Sequence, residues 1–201
     1  MSNILIFDTE TTTFPNPDRA PDHPKQARVI QLAAILVDKD FKELGSVYSL
    51  IKPDGWTIQE GAFKAHGISQ ETCEKDGRDI VDVMRELAIL WNEASIWVGH
   101  NIQFDLTMIE IEFACLLSKK INLAVKVPRK DEIRCTMNAS TDICKLPFAT
   151  PEKFGKKYKW PKLSEAYQHF FNEPLEGAHD ALADVRACIR VYKHLSDSKL
   201  L

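Results

Sequence analysis

No uninterrupted run of about eighteen apolar residues occurs in this 201-residue chain, so no membrane-spanning helix is expected. The N-terminus carries neither a basic start nor a cleavage site. It runs directly into the strand-like NILIFD, and no secretory signal is expected. Five cysteines (Cys73, Cys115, Cys135, Cys144, Cys188) form an odd set without a C-x-x-C pair. That excludes a disulfide frame or zinc site as the first expectation and points to reduced thiols in a cytoplasmic protein. Internal repeats, low-complexity tracts and a linker between two cores are also lacking, so residues 1–201 read as a single domain. With 44% hydrophobic and 27% charged residues, the chain can bury a full core as an ordinary globular protein.

An overall positive charge is lacking too, since the net charge is −3. Its distribution is uneven. Between Lys119 and Lys162 twelve basic residues face four acidic ones, a local +8 that leaves −11 for the remainder. Such a basic region, 119–162, is either a nucleic-acid footprint or a solvated loop, and charge alone weighs the two equally. Within it KFGKKYKWPKL (153–163) interleaves lysines with Phe154, Tyr158 and Trp160, a composition suited to phosphates and stacked bases.

Periodicity supplies the elements. Strands are expected at 3–8, roughly 27–38, 45–53 and 95–100, with a fifth at IRCTM (133–137). The Pro- and Asp-rich PNPDRAPDHPK between the first two reads as a loop. Helical spacing marks 78–94, 103–120, 163–171 and 179–195. Three consecutive strands followed by alternating helix and strand predict an α/β fold, a mixed five-stranded sheet flanked by helices.

Chemistry is concentrated in three segments. Asp8 and Glu10 end the first strand two residues apart, so their side chains leave one face about 7 Å apart. Alone, a D-x-E pair is common, and a polar strand end explains it as well. In GHNIQFD, Asn101 and Asp105 are i, i+4 at a helix start, where a helix-dipole acid and an N-cap asparagine are the simpler readings. In the last helix Asp184 continues the apolar stripe Cys188, Val191, Leu195, a costly place for an acid that binds nothing. His179 stands five residues before it among small alanines, where a capping histidine is the plainer account. Taken together, four carboxylates and an imidazole gathered in one pocket would need divalent cations between them, the arrangement used in two-metal phosphodiester hydrolysis.

FDTETT, HNIQFD and HDALAD, in this order and spacing, resemble the three motifs of the DEDDh branch of the 3′–5′ exonucleases, within the ribonuclease H-like fold. The resemblance covers essentially the whole chain. The sister branch has Tyr four residues before the last Asp, where this chain has Asp180. The likeness implies that Asp8, Glu10 and Asp184 hold one metal, that Asp8 bridges to a second, and that Asp105 supports the second largely through water. Two Mg²⁺ ions fit oxygen ligands, with Mn²⁺ expected to substitute. His179 would be the general base, so activity should fall as pH drops through its pKa. The implied reaction releases nucleoside 5′-monophosphates from 3′ ends of single-stranded or frayed DNA. RNA trimming and a non-catalytic nucleic-acid-binding module are the alternatives.

The same likeness places Thr11 near the 3′-hydroxyl and Phe14 as a wedge against the last bases. His66, in FKAHGIS, and Phe104 would line the base pocket, with Asn101 a further substrate contact. A turn histidine and a core aromatic explain His66 and Phe104 equally well. One departure stands out: Thr13 occupies a position where the family usually has glycine, which puts the loop path from Thr11 to Phe14 in question. The chain stops at SDSKLL, soon after the last helix, without the polymerase-binding tail common in proofreading relatives, which favours a free-standing enzyme. Oligomeric state is left open.

Overall fold

A computed structural model describes residues 3–148 and 157–200. Strands β1 (Ile4–Thr11), β2 (Val29–Val37), β3 (Glu43–Leu50), β4 (Ile96–Gly99) and β5 (Ile133–Cys135) form one sheet in the order β3-β2-β1-β4-β5. The first three strands are antiparallel, whereas β4 and β5 continue parallel to β1. Between and after them come α1 (Glu60–His66), α2 (Gln70–Asp76), α3 (Ile80–Glu93), α4 (Ile102–Ser118), α5 (Thr136–Cys144), α6 (Leu163–Phe171) and α7 (Ala181–Asp197). This is the expected mixed five-stranded sheet flanked by helices, a ribonuclease H-like fold. Among the described residues no helix is long and apolar enough to cross a membrane.

Alternation along β1 decides what each face of the sheet carries. Leu5 and Phe7 pack with Met84, Leu87 and Trp91 of α3 and Met108 and Ile109 of α4. Ile4 and Ile6 face the other way, onto Ala181, Val185, Cys188 and Tyr192 of α7. By the same two-residue period Asp8 and Glu10 leave β1 on the α7 side and Thr9 on the α4 side. Three helices are absent from the periodicity reading: α1, α2 and α5. The fifth strand is also shorter than IRCTM, because Thr136 and Met137 already belong to α5. There the Thr136 hydroxyl turns inward, within 2.9 Å of His100 Nδ1 and 3.2 Å of the Gly99 carbonyl, instead of staying in a ladder.

All five thiols are free, and four are buried.

Candidate active site

The three motif segments meet at the carboxyl ends of β1 and β4, the edge of an α/β sheet where crevices open. One cavity of about 510 Å³ is lined by Asp8, Glu10, Asp105, His179 and Asp184 together. Separate elements deliver them: β1 carries Asp8 and Glu10, the first turn of α4 carries Asp105, and the first turn of α7 carries Asp184.

Asp105 is almost fully buried, at 3% exposure, and crosses the chain to reach β1. Its Oδ1 accepts from the Thr9 backbone N–H at 3.0 Å and from the Thr9 hydroxyl at 2.7 Å. Thr9, the residue between the two β1 acids, is therefore what orients the third acid, a role sequence reasoning missed. Asn101 sits at the start of α4 in the left-handed region (φ 69°) and makes no side-chain cap bond. The capping alternative for Asn101 fails, and its exposed side chain lines the catalytic cavity instead.

His179 precedes the helix and caps nothing; Asp180 is the N-cap. Asp180 Oδ1 accepts from the N–H groups of Leu182 and Ala183 at 3.1 and 3.0 Å. Its Oδ2 accepts from Tyr48 at 2.9 Å and from Gln31 at 3.1 Å. His179 itself has φ 70° and donates its backbone N–H to Asp184 Oδ2 at 3.1 Å. A left-handed histidine is uncommon and persists where surrounding bonds over-determine it. The neighbouring Asp180 and Asp184 bonds supply that determination.

Electrostatics mark the pocket as one that calls for cations. Burial, then the charges of Asp105, Asp184, Glu10 and Asp180, push the Asp8 carboxyl well above the ordinary range. Burial and the neighbouring Asp184 and Asp105 raise Glu10 to about 8. Burial raises Asp105 to about 7, even though the Thr9 bonds act in the opposite direction. Asp184 is raised by burial, opposed by the His179 N–H. Four carboxyls raised together resist ionising side by side, and bound cations would reverse that preference. A divalent ion fits these residues by a second criterion. Asp184 Oδ1 is buried without a hydrogen-bond partner, and ligand atoms of Glu10, His179 and Asp184 lie within 4.8 Å of one another.

A second cavity of about 290 Å³ adjoins the first, sharing Thr9, Glu10, Phe14 and Phe104 with it. Thr11 and His66 line it, as does α1 through Ala62 and Ala65. Phe14 is 82% exposed on the rim, edge-on to Phe104 at 6.0 Å. Phe104 also packs partly against the core, so pocket and core roles coincide in one side chain. The same holds for His66. Its Nδ1 accepts from the Ile68 N–H in the turn after α1, while its ring walls the cavity; burial lowers its pKa. The Thr13 departure has a structural answer. Its backbone stays out of the left-handed region that would require glycine, and its hydroxyl donates to Gln59 Oε1 at 2.9 Å, tying the loop to the start of α1. Thr11 donates to the Thr13 carbonyl at 3.0 Å.

His100 is another residue that sequence reasoning passed over. It lines the catalytic cavity, its Nε2–H donates to the Pro161 carbonyl at 2.9 Å, and burial lowers its pKa to about 4. As a neutral ring it ties the end of β4 to the segment that carries Trp160 and Lys162 into the cavity wall. Of KFGKKYKWPKL, residues 153–156, including Phe154, lie outside the described residues.

A ribonuclease H-like sheet with a carboxylate crevice at the ends of its parallel strands defines a class of metal-dependent nucleases. Within that class, the chain belongs to the exonuclease family, whose model (RNase T exonuclease) matches residues 5–192. Among solved structures it is similar to Escherichia coli exonuclease I in complex with a dT13 oligonucleotide, at 22% identity and a TM-score of 0.69 over 98% of this chain. The zinc-bound form of the E. coli enzyme with single-stranded DNA gives 23% identity and 0.70, again over 98% of this chain. Exonuclease I from Methylocaldum szegediense gives 21% and 0.71 over all of it. The chain spans only about two fifths of the length of these structures, 41%, 41% and 42% respectively. No protein of curated function matches the sequence.

Proposed function

We propose that this chain is a metal-dependent 3′–5′ exonuclease that releases nucleoside 5′-monophosphates from the 3′ end of single-stranded or frayed DNA. The observation that carries this reading is the convergence of Asp8, Glu10, Asp105, Asp184 and His179 on one cavity wall. The oligonucleotide and single-stranded DNA in the similar exonuclease I structures support the choice of polymer. Residues 1–201 are taken as one catalytic unit, with 119–162 a basic insertion within it, and the free thiols fit a cytoplasmic setting.

Asp8, Glu10 and Asp184 would hold one ion, and Asp8 with Asp105 a second; Mg²⁺ matches their hard oxygen donors, with Mn²⁺ able to replace it. When bound, the ions supply the neutralising charge and the Lewis acidity needed at the attacking water and the departing 3′ oxygen. The protein's own contribution is positional. His179, exposed at the cavity mouth, accepts the proton of the attacking water. Thr9 fixes Asp105, and the Asp180 network fixes the turn that presents His179. The second cavity, floored by Thr11 and His66 and rimmed by Phe14 and Phe104, takes the terminal sugar and base, which selects an end over the interior of a strand.

Matched DNA and RNA oligonucleotides labelled at the 5′ end test this reading. Stepwise shortening of the labelled DNA in Mg²⁺ is the expected result, and release of a labelled mononucleotide at the outset would contradict it. Faster shortening of the RNA would assign the site to RNA trimming.

A further inference from the structure

We propose that the strand 5′ of the scissile nucleotide leaves the catalytic cavity over the corner where β5 meets α5, held by Lys130, Arg134, Asn138, Lys157 and Trp160. This rests on the exonuclease reading above and adds the path of the substrate to it.

Three cavities meet at that corner. The catalytic one shares Asn101 with a cavity of about 450 Å³ lined by Gln103, Lys130, Arg134 and Asn138. It shares Trp160 with a third, of about 280 Å³, lined by Asn138, Lys157 and Tyr158. Asn138 belongs to both outer cavities, so the three form one continuous concave surface around the start of α5. A strand whose end occupies the catalytic cavity has this surface beside it.

Its charge is what a polyanion requires, once the basic residues with structural partners are set aside. Lys119 pairs with Asp54, and Lys126 donates to the Ala94 carbonyl and lies 5.0 Å over Trp97. Arg129 pairs with Asp131 and Glu132, and Lys159 with Glu165 at 2.6 Å. Those cations already have protein partners. Lys130 and Lys157 are exposed and line the outer cavities, Lys157 lying 5.3 Å over the ring of its neighbour Tyr158, with Asp142 the one acid among the described residues that line them. Arg134 uses Nη1 for the carbonyls of Asp131 and Ile133, and its Nε and Nη2 have no hydrogen-bond partner among the described residues. Trp160, 45% exposed, is an aromatic side chain in the lining of both the catalytic and the third cavity. Lysine, arginine and an exposed indole along one groove are the components that bind single strands without reading sequence.

The experiment compares a one-nucleotide substrate with a long one. Hydrolysis of thymidine 5′-(p-nitrophenyl phosphate) reports the catalytic cavity alone. Fluorescence anisotropy of a labelled dT15, in an Asp184→Asn background that prevents degradation, reports the proposed path. For Lys130→Gln with Arg134→Gln the nitrophenyl ester should be cleaved at the wild-type rate, while dT15 binding at low salt weakens tenfold or more. The slope of log affinity against log salt should fall by about 0.7 for each phosphate that is no longer neutralised. Lys130→Gln alone, at an exposed position, should show about half that slope change and guards against misfolding of the double variant. Lys75→Gln with Lys193→Gln is the charge-matched control. Unchanged dT15 affinity and slope, or equal weakening in the control, would overturn the path. A wild-type protein that cleaves neither substrate would instead overturn the exonuclease reading.

Discussion

Gln31 grips Asp180 and the residue after it at once: its side-chain N–H donates to Asp180 Oδ2 at 3.1 Å, and its carbonyl oxygen accepts from the Ala181 N–H at 2.9 Å. Gln31 is also the cross-strand partner of Glu10. Two parts of the site, the β1 acids and the turn bearing His179, are therefore referenced to the same position on β2.

Gln31→Ala should consequently lower kcat about ten- to a hundredfold, the scale of a small misplacement of a reacting group, while KM changes little. Tyr48→Phe should lose less, because both Gln31 bonds remain. Amide hydrogen exchange at residues 179–183 should accelerate in parallel with the drop in rate. Faster exchange with an unaltered kcat would show that the network serves stability alone.

Replacing His179 separates a base from a ligand. If the ring only takes a proton, His179→Asn lowers kcat by about 10²–10⁴ and leaves Mn²⁺ affinity, measured by calorimetry, within a few fold. A ligand role would weaken Mn²⁺ binding as well.

Metal-free protein should lose stability as pH rises. Glu10 and Asp105 are raised to about 8 and about 7 in the fold, so the folded state holds protons that the unfolded chain releases near pH 4. Their neutral forms favour folding fully below pH 4, and the advantage is lost through pH 7–8. The Tm in EDTA should therefore decline between pH 5 and pH 8. Glu10→Gln should flatten that decline and abolish activity, and Mg²⁺ should restore the wild-type Tm at pH 8. A Tm that rises across this range would contradict the electrostatics.

Arg28 pairs with the fully buried Glu112 at 2.8 Å, and Glu112 Oε1 also accepts from the Val29 N–H. Val29 is the partner of Thr11, so the pair anchors the start of the loop that floors the second cavity. Arg28→Met should cost about 3–5 kcal/mol in urea unfolding by leaving a buried charge unpaired. Adding Glu112→Gln should recover part of that stability, because the amide oxygen can still serve Val29.

How much of this was visible in the chain depends on the range of the interactions. Asp8 and Glu10 follow from the two-residue period, and Asp184 from an acid interrupting the stripe Cys188, Val191, Leu195, all three of which are buried. Asp105 is different. A first-turn acid explains itself locally, and the residues alone leave that reading standing. The resemblance of HNIQFD assigns Asp105 to the site, and its bond to Thr9, ninety-six positions away, shows how the fold brings it there. Helix α1 has no buried residue and therefore no apolar period to read. In α5 the sequence TMNASTDIC is dominated by hydroxyl and small side chains, and packing against α6 and α7 holds the helix. The basic stretch looked uniform in sequence, whereas in the fold its cations divide between structural pairs and the cavities around α5.

The central claim is that distant acids share divalent ions at the ends of β1 and β4. Anomalous diffraction from crystals grown with Mn²⁺ and thymidine 5′-monophosphate tests it most directly. One peak is expected enclosed by Asp8, Glu10 and Asp184 and a second between Asp8 and Asp105, with the nucleotide base in the Thr11–His66 cavity. No peak at those carboxylates, in crystals of protein that degrades DNA with Mn²⁺, would contradict it.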